Sequence, residues 1–109
     1  MTNQEEFKHF QPLGGSDAAH TATGISGLTA ATPALTPLML KEDNKLVAWD
    51  GAKAGTAVAI LALATDGSQP KITYYKSGTF RVDDVQWPEA AATDELKFNA
   101  FAGSAISVN

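Results

Sequence analysis

The stretch that decides the fold is Leu46-Val47-Ala48-Trp49, followed by Asp50-Gly51-Ala52-Lys53-Ala54-Gly55 and then by Ala57-Val58-Ala59-Ile60-Leu61-Ala62-Leu63-Ala64. Two apolar runs flank a segment opened by Asp-Gly and closed by Gly, which predicts a hairpin with a loop longer than the tightest type. The second run is the most hydrophobic in the chain. Gly55 and Asp66-Gly67 bound it, and its length suits a strand. Alanine favours helix, so a short buried helix is the rival reading. An apolar run with no polar face fits a strand covered on both sides, and strand is the preferred reading.

Outward from this centre, Lys41-Glu42-Asp43-Asn44 reads as a charged turn leading into the hairpin. Leu38, Met39 and Leu40 precede it, and Pro37 argues against a central strand there. Ser16 to Thr36 is rich in Ala, Thr, Gly and Pro without periodicity, which predicts an ordered, non-repetitive stretch. Downstream, Thr65 to Pro70 is a loop. Lys71 to Lys76 carries the strand formers Ile72, Thr73, Tyr74 and Tyr75, with Ser77-Gly78 as an interruption. Phe80 and Val82 alternate with polar residues, whereas Val85 and Trp87 alternate in the opposite phase. The shift predicts a bulge or bend at Asp83-Asp84.

Pro88 ends that strand. Thr93 is placed to cap a helix, with Asp94 and Glu95 at its positive end and Gly103 as a left-handed stop. Leu96, Ala100 and Phe101 would form its buried stripe, and Ala105 to Val108 reads as a closing strand with Ile106 and Val108 on one face. The residues alone thus predict a small, mainly β domain with much irregular backbone and one short C-terminal helix.

Met1 to Gln11 is polar apart from Phe7 and Phe10, and Pro12 with Gly14-Gly15 separates it from the rest. It reads as a flexible arm, and a plain solvated tail is the simpler alternative. Phe7, His9 and Gln11 fall at a spacing of two, so one face of an extended backbone could carry all three.

Composition excludes several kinds of chemistry. The 109 residues form one domain, and much of the 44% hydrophobic content is alanine, so the core is modest and an oligomer is expected. Net charge is -4 with no basic run, which gives nucleic acid no electrostatic footprint. The absence of cysteine removes disulfides, thiolate metal sites and cysteine nucleophiles, and suits synthesis in a reducing compartment. The start lacks the pattern of a signal peptide, and no apolar run approaches a membrane span.

Candidate chemistry is sparse. His9 and His20 sit in the arm and in an expected loop, too few for a zinc site. Asp83 and Asp84 are neighbours, and on a strand they would point to opposite faces. No nucleophile elbow or phosphate-binding loop is present, and Trp49 and Trp87 read as core or subunit-contact aromatics. Two classes remain: a structural or binding protein acting through its surface and arm, and a small enzyme with a site of scattered residues. The lack of clustered titratable groups favours the first. No metal, cofactor or catalytic residue is expected.

Several runs then carry a resemblance. In the arm these are Phe7, His9 and Gln11-Pro12. His20-Thr21-Ala22-Thr23, Thr36 to Leu40 and Lys45 to Gly51 follow. Tyr75-Lys76-Ser77-Gly78-Thr79-Phe80-Arg81 is the most specific, and Asp84-Val85, Trp87 to Ala91 and Ala100 to Gly103 complete the set. In this order, over almost the whole chain, the sequence resembles the head decoration proteins of lambda-like bacteriophages. It departs from their pattern mainly in expected loops, such as Ala52–Thr56 and Ala64–Lys71.

The resemblance implies a β-clip-like domain over residues 15–109, preceded by a flexible capsid-binding arm over residues 1–14. It implies a structural virion protein with no enzymatic activity. This would be a homotrimer on the outer surface of the expanded capsid, at threefold and quasi-threefold sites, stabilising the shell against packaged DNA. The partner would be the major capsid protein, reached through Phe7, His9, Phe10, Gln11 and Pro12. Neither nucleic acid nor membrane would be contacted, and the protein would be made in the host cytoplasm.

Overall fold

The longest strand, Lys71–Phe80, is the spine against which three other strands align. The structure is a computed structural model and describes residues 19–109. In chain order it has β1 (His20–Ile25), β2 (Pro37–Leu40), β3 (Leu46–Ala48), β4 (Ala59–Leu61), β5 (Lys71–Phe80), α1 (Asp94–Phe98) and β6 (Ile106–Val108). A single 3-10 turn, Val82–Asp84, lies between β5 and α1. The sheet order is β1-β5-β4-β2-β3 with antiparallel pairing throughout, and β6 adds in parallel to the end of β5. This is the expected mainly β domain with much irregular backbone and one short C-terminal helix.

Within the apolar run Ala57–Ala64 only Ala59–Leu61 forms a strand and none of it is helical, and the run does not form the expected hairpin. β3 and β4 both pair with β2, which lies between them. The Trp49 amide donates to the Pro37 carbonyl at 2.8 Å, and the Val58 amide donates to the Leu38 carbonyl at 2.8 Å. Residues 49–58 therefore pass around one end of β2. Asp50-Gly51 makes only a local turn, in which Asp50 Oδ1 accepts from the Ala52 amide at 3.0 Å. The loop's later amides look elsewhere: Gly55 N donates to Asn99 O at 2.9 Å and Ala57 N to Ala100 O at 3.1 Å.

Pro37 accordingly opens a central strand, against expectation. As the first strand residue it offers no N–H to the ladder, while its carbonyl still accepts from Trp49. The true hairpin lies one step upstream, between β2 and β3, at the charged turn. Lys41 N donates to Lys45 O at 2.9 Å, and Asn44 holds the left-handed φ of 67°.

Two further expectations are revised. Residues 16–36 include a regular strand, β1, which runs antiparallel along β5 from His20↔Ser77 to Ile25↔Lys71. Its Thr- and Ala-rich sequence hides it, because only Ala22 and Gly24 among its residues are turned partly inward. Ser77-Gly78 does not interrupt β5 but marks a change of partner, from β1 at Ser77 to β6 at Gly78. Gly78 has φ +132°, and a Cβ there would lie 3.2 Å from Ala19 Cα.

Other readings hold, the length of the helix excepted. Val82–Asp84 bends the chain where the alternation changes phase. Thr93 caps α1, its side chain accepting from Leu96 N. The helix is shorter than expected: it stops at Phe98, before Gly103, so Ala100 and Phe101 lie beyond it, and the carbonyls of Asn99 and Ala100 accept from Gly55 and Ala57. Ala100 and Phe101 are buried, and Ile106 and Val108 share the inner face of β6.

The sheet separates two apolar clusters. One gathers Trp49, Ile60, Phe80, Val85, Phe101 and Ile106, closed over by the chain from α1 to β6. The other gathers Leu38, Leu46, Ala59, Leu61 and Ile72, with Leu28 and Tyr74 packed against it. Alternation along β4 sends Ile60 to the first and its two neighbours to the second, so all three strand residues are buried. Coverage of both faces, expected for the whole run, holds for these three residues alone, because Val58 before them and Leu63 after them are exposed.

Candidate functional site

Among the described residues, no three His, Cys, Asp or Glu side chains lie close enough to hold a metal ion. His20 is exposed at the start of β1. Asp83 and Asp84 occupy the 3-10 turn and act as the bend that their position suggests. The Asp66 carboxylate lies below its ordinary range because Ser68 donates to it from both side chain and backbone, at 2.6 and 2.9 Å.

Both tryptophans are structural. Trp49 is only 2% exposed and meets Trp87 edge-on at 6.1 Å between ring centroids. Its Nε1 donates to Thr56 Oγ1 at 2.8 Å, and Trp87 Nε1 donates to the Val82 carbonyl at 2.8 Å. Each indole thus satisfies its donor, with the Trp49 ring buried and the Trp87 ring half-buried. Neither forms a cage for a ligand.

The surface feature that stands out is on the other side of the sheet. The segment after β1 crosses to β3, where Gly27 N donates to Leu46 O at 2.8 Å and Ser26 bridges Leu46 in parallel. The two ends of the sheet are thereby drawn together over the Leu38 cluster, and the curl leaves an apolar hollow open to solvent. Ile25, Leu40, Val58 and Tyr74 form its walls, and Gly24 lies in its floor. Gly24 keeps the hollow open: a Cβ there would lie 2.7 Å from Leu46 Cδ1 and 2.9 Å from Tyr74 Cε2, so those side chains would have to shift. Lys76 and Asn44 supply the polar lining.

Leu40 is 54% exposed, and Ile25 and Val58 are also substantially open. Apolar side chains grouped around one hollow differ from singly scattered ones, and such grouping marks an interaction surface. A second exposed apolar side chain, Leu63, stands on the bend that follows β4. Sequence reasoning missed the hollow because Ile25 was read within an irregular stretch. Leu40 and Val58 were read as parts of continuous apolar runs whose outward members alternation alone could not separate.

The arm residues Phe7, His9, Phe10, Gln11 and Pro12 lie outside the described residues.

Comparison with known proteins gives a consistent result. The family model described as "Bacteriophage lambda head decoration protein D" matches residues 2–108. A "Putative decoration protein" of Escherichia phage N15 is 54% identical over 109 residues, covering 99% of each chain. A "Head decoration protein" of Enterobacteria phage P21 is 53% identical over 107 residues, covering 97% of this chain and 92% of the relative.

Proposed function

The chain belongs to the bacteriophage lambda head decoration protein family, and from that premise we propose that it acts as a homotrimer on the outer surface of the expanded capsid. The coarse role follows from membership: it is a structural head decoration protein of a phage capsid. On our reading it occupies threefold and quasi-threefold sites, contacts the major capsid protein and holds the shell against the pressure of packaged DNA. The observation that carries this reading is the family match over residues 2–108, which takes in nearly the whole chain, the arm included.

Physical arguments support the finer points. A ligand that binds only the expanded lattice stabilises that lattice by mass action. Three arms on one trimer raise the effective concentration of each, so single contacts can be weak. Residues 1–14 serve as the capsid-binding arm, and residues 15–109 form the single β-rich domain that carries it. Phe7, His9, Phe10, Gln11 and Pro12 make the contact in an extended form, adding backbone hydrogen bonds at a sheet edge of the capsid protein. A chain with net charge -4 also suits a partner that is protein and not DNA.

The test is to mix the purified protein with expanded and with unexpanded shells and to measure the bound mass. Saturable binding to expanded shells alone, in multiples of three chains per site, is the expected result. Equal binding to both shells, or none to either, would remove the reading.

A further inference from the structure

The hollow between β1, β5, β4 and β2 is concave, so two copies of it cannot fill one another. A contact that uses it must join it to a different, protruding patch. Contacts of that kind between copies generate rings when the rotation closes, which is what a trimer requires. We infer that this hollow receives the Ala62-Leu63-Ala64 bend of a neighbouring copy, with Leu63 as the inserted side chain, and that repetition of this contact closes the ring. The inference rests on the trimeric reading given above and assigns the faces that would meet.

Three observations select this occupant. Leu63 is 64% exposed, more than any other large apolar side chain among the described residues, and the small Ala62 and Ala64 on either side leave it unshielded. The hollow, of about 310 Å³, has room for a leucine side chain. The charges are complementary. Lys76 lines the hollow. Asp66 follows the bend, and its carboxylate is fixed by two hydrogen bonds from Ser68. Among the described residues that line the hollow, Lys76 is the one charged side chain, and none is acidic.

The experiment uses the full chain and three variants, Leu40→Glu, Leu63→Glu and Phe98→Glu, compared by light scattering on a sizing column. Leu40, Leu63 and Phe98 are all exposed, and matching melting curves would establish that the fold is kept. The unaltered chain should be a trimer. Leu40→Glu and Leu63→Glu should each raise the concentration for half-assembly roughly tenfold or more, and Phe98→Glu should not. An equimolar mixture of Leu40→Glu and Leu63→Glu retains one sound hollow and one sound bend. It should therefore yield dimers that neither variant forms alone.

Persistence of the trimer in either of those two variants, failure of the mixture to dimerise at high concentration, or dissociation by Phe98→Glu alone would overturn the assignment. An unaltered chain that is itself monomeric would instead sink the trimeric reading, and this one with it. Should a variant fail to fold, Lys76→Glu is the substitute. It should weaken assembly, and adding Asp66→Lys should recover it; no recovery counts against the contact.

Discussion

The two faces of the sheet are built on the same strands yet finished differently. One face is closed by the chain itself: residues from α1 to β6 return over Trp49, Phe80 and Val85, and Phe101 and Ile106 complete the packing. The other is closed only in part. Leu28 and the curl toward β3 cover Leu38, Leu61 and Ile72, while Ile25, Leu40 and Val58 remain in solvent. The difference teaches that one face serves stability and the other is free to serve contact. A modest core that could use every apolar side chain leaves several of its larger ones outside.

The sharpest test of this contrast is truncation at the centre of the closed face. Trp49→Ala removes a ring that is 2% exposed, its edge-on contact with Trp87 and its bond to Thr56. A loss of about 3–5 kcal/mol is expected, read from chemical denaturation. A loss below about 1 kcal/mol would mean that the closed face is not where the stability resides.

A smaller effect is expected at the open face. Gly24→Val would push a side chain against Leu46 and Tyr74, whose near atoms are the ends of movable side chains. The fold should lose about 1–3 kcal/mol, and the hollow should fill. If the chain forms the proposed trimer, assembly should fall further than stability does. Equal loss in both measurements would erase the distinction between the faces.

Much of the closed face was legible in the sequence. Period-two alternation places Ile106 and Val108 correctly, the phase change locates the bend at Val82–Asp84, and Thr93 followed by two acids announces the helix cap. These are local signals, and local hydrogen bonding fulfils them. Strand order is not local. The Asp50-Gly51 turn looks like a hairpin tip, but Gly55 and Ala57 find partners at Asn99 and Ala100, more than forty residues away, and β2 enters between the two runs. The open face was hidden for a related reason. Which members of an apolar run face out depends on whether another segment covers them, and that segment is elsewhere in the chain.

A weaker effect should come from the helix cap, which borders the closed face without entering it. Thr93 is exposed and its side chain accepts from Leu96 N at 3.3 Å. Thr93→Ala should cost about 0.5–1 kcal/mol, at the lower end for a cap, with no change in assembly. Replacement by Asp should restore the loss, since a carboxylate caps equally well. A trimer that loosens in Thr93→Ala would connect α1 to the contact surface and blur the contrast.

The smallest effect on the folded domain is expected from removing residues 1–14, and its value lies in what else it changes. If the arm is the capsid-binding element, both faces of the sheet should keep their stability and assembly after its deletion, within about 0.5 kcal/mol. Binding to expanded shells should fall sharply. Ordering an extended arm costs roughly 1–2 kcal/mol per residue in backbone entropy, so docking must bury Phe7 and Phe10 as well as pair the backbone. Phe7→Ala in the full chain should therefore weaken binding in part, and the loss should be multiplied in a trimer, where every arm carries the change. Titration of shells with the truncated and substituted proteins distinguishes the cases. Undiminished decoration by the truncated trimer would move the capsid contact into the folded body. The hollow, if it is not already filled by a neighbouring copy, would then be the first surface to examine.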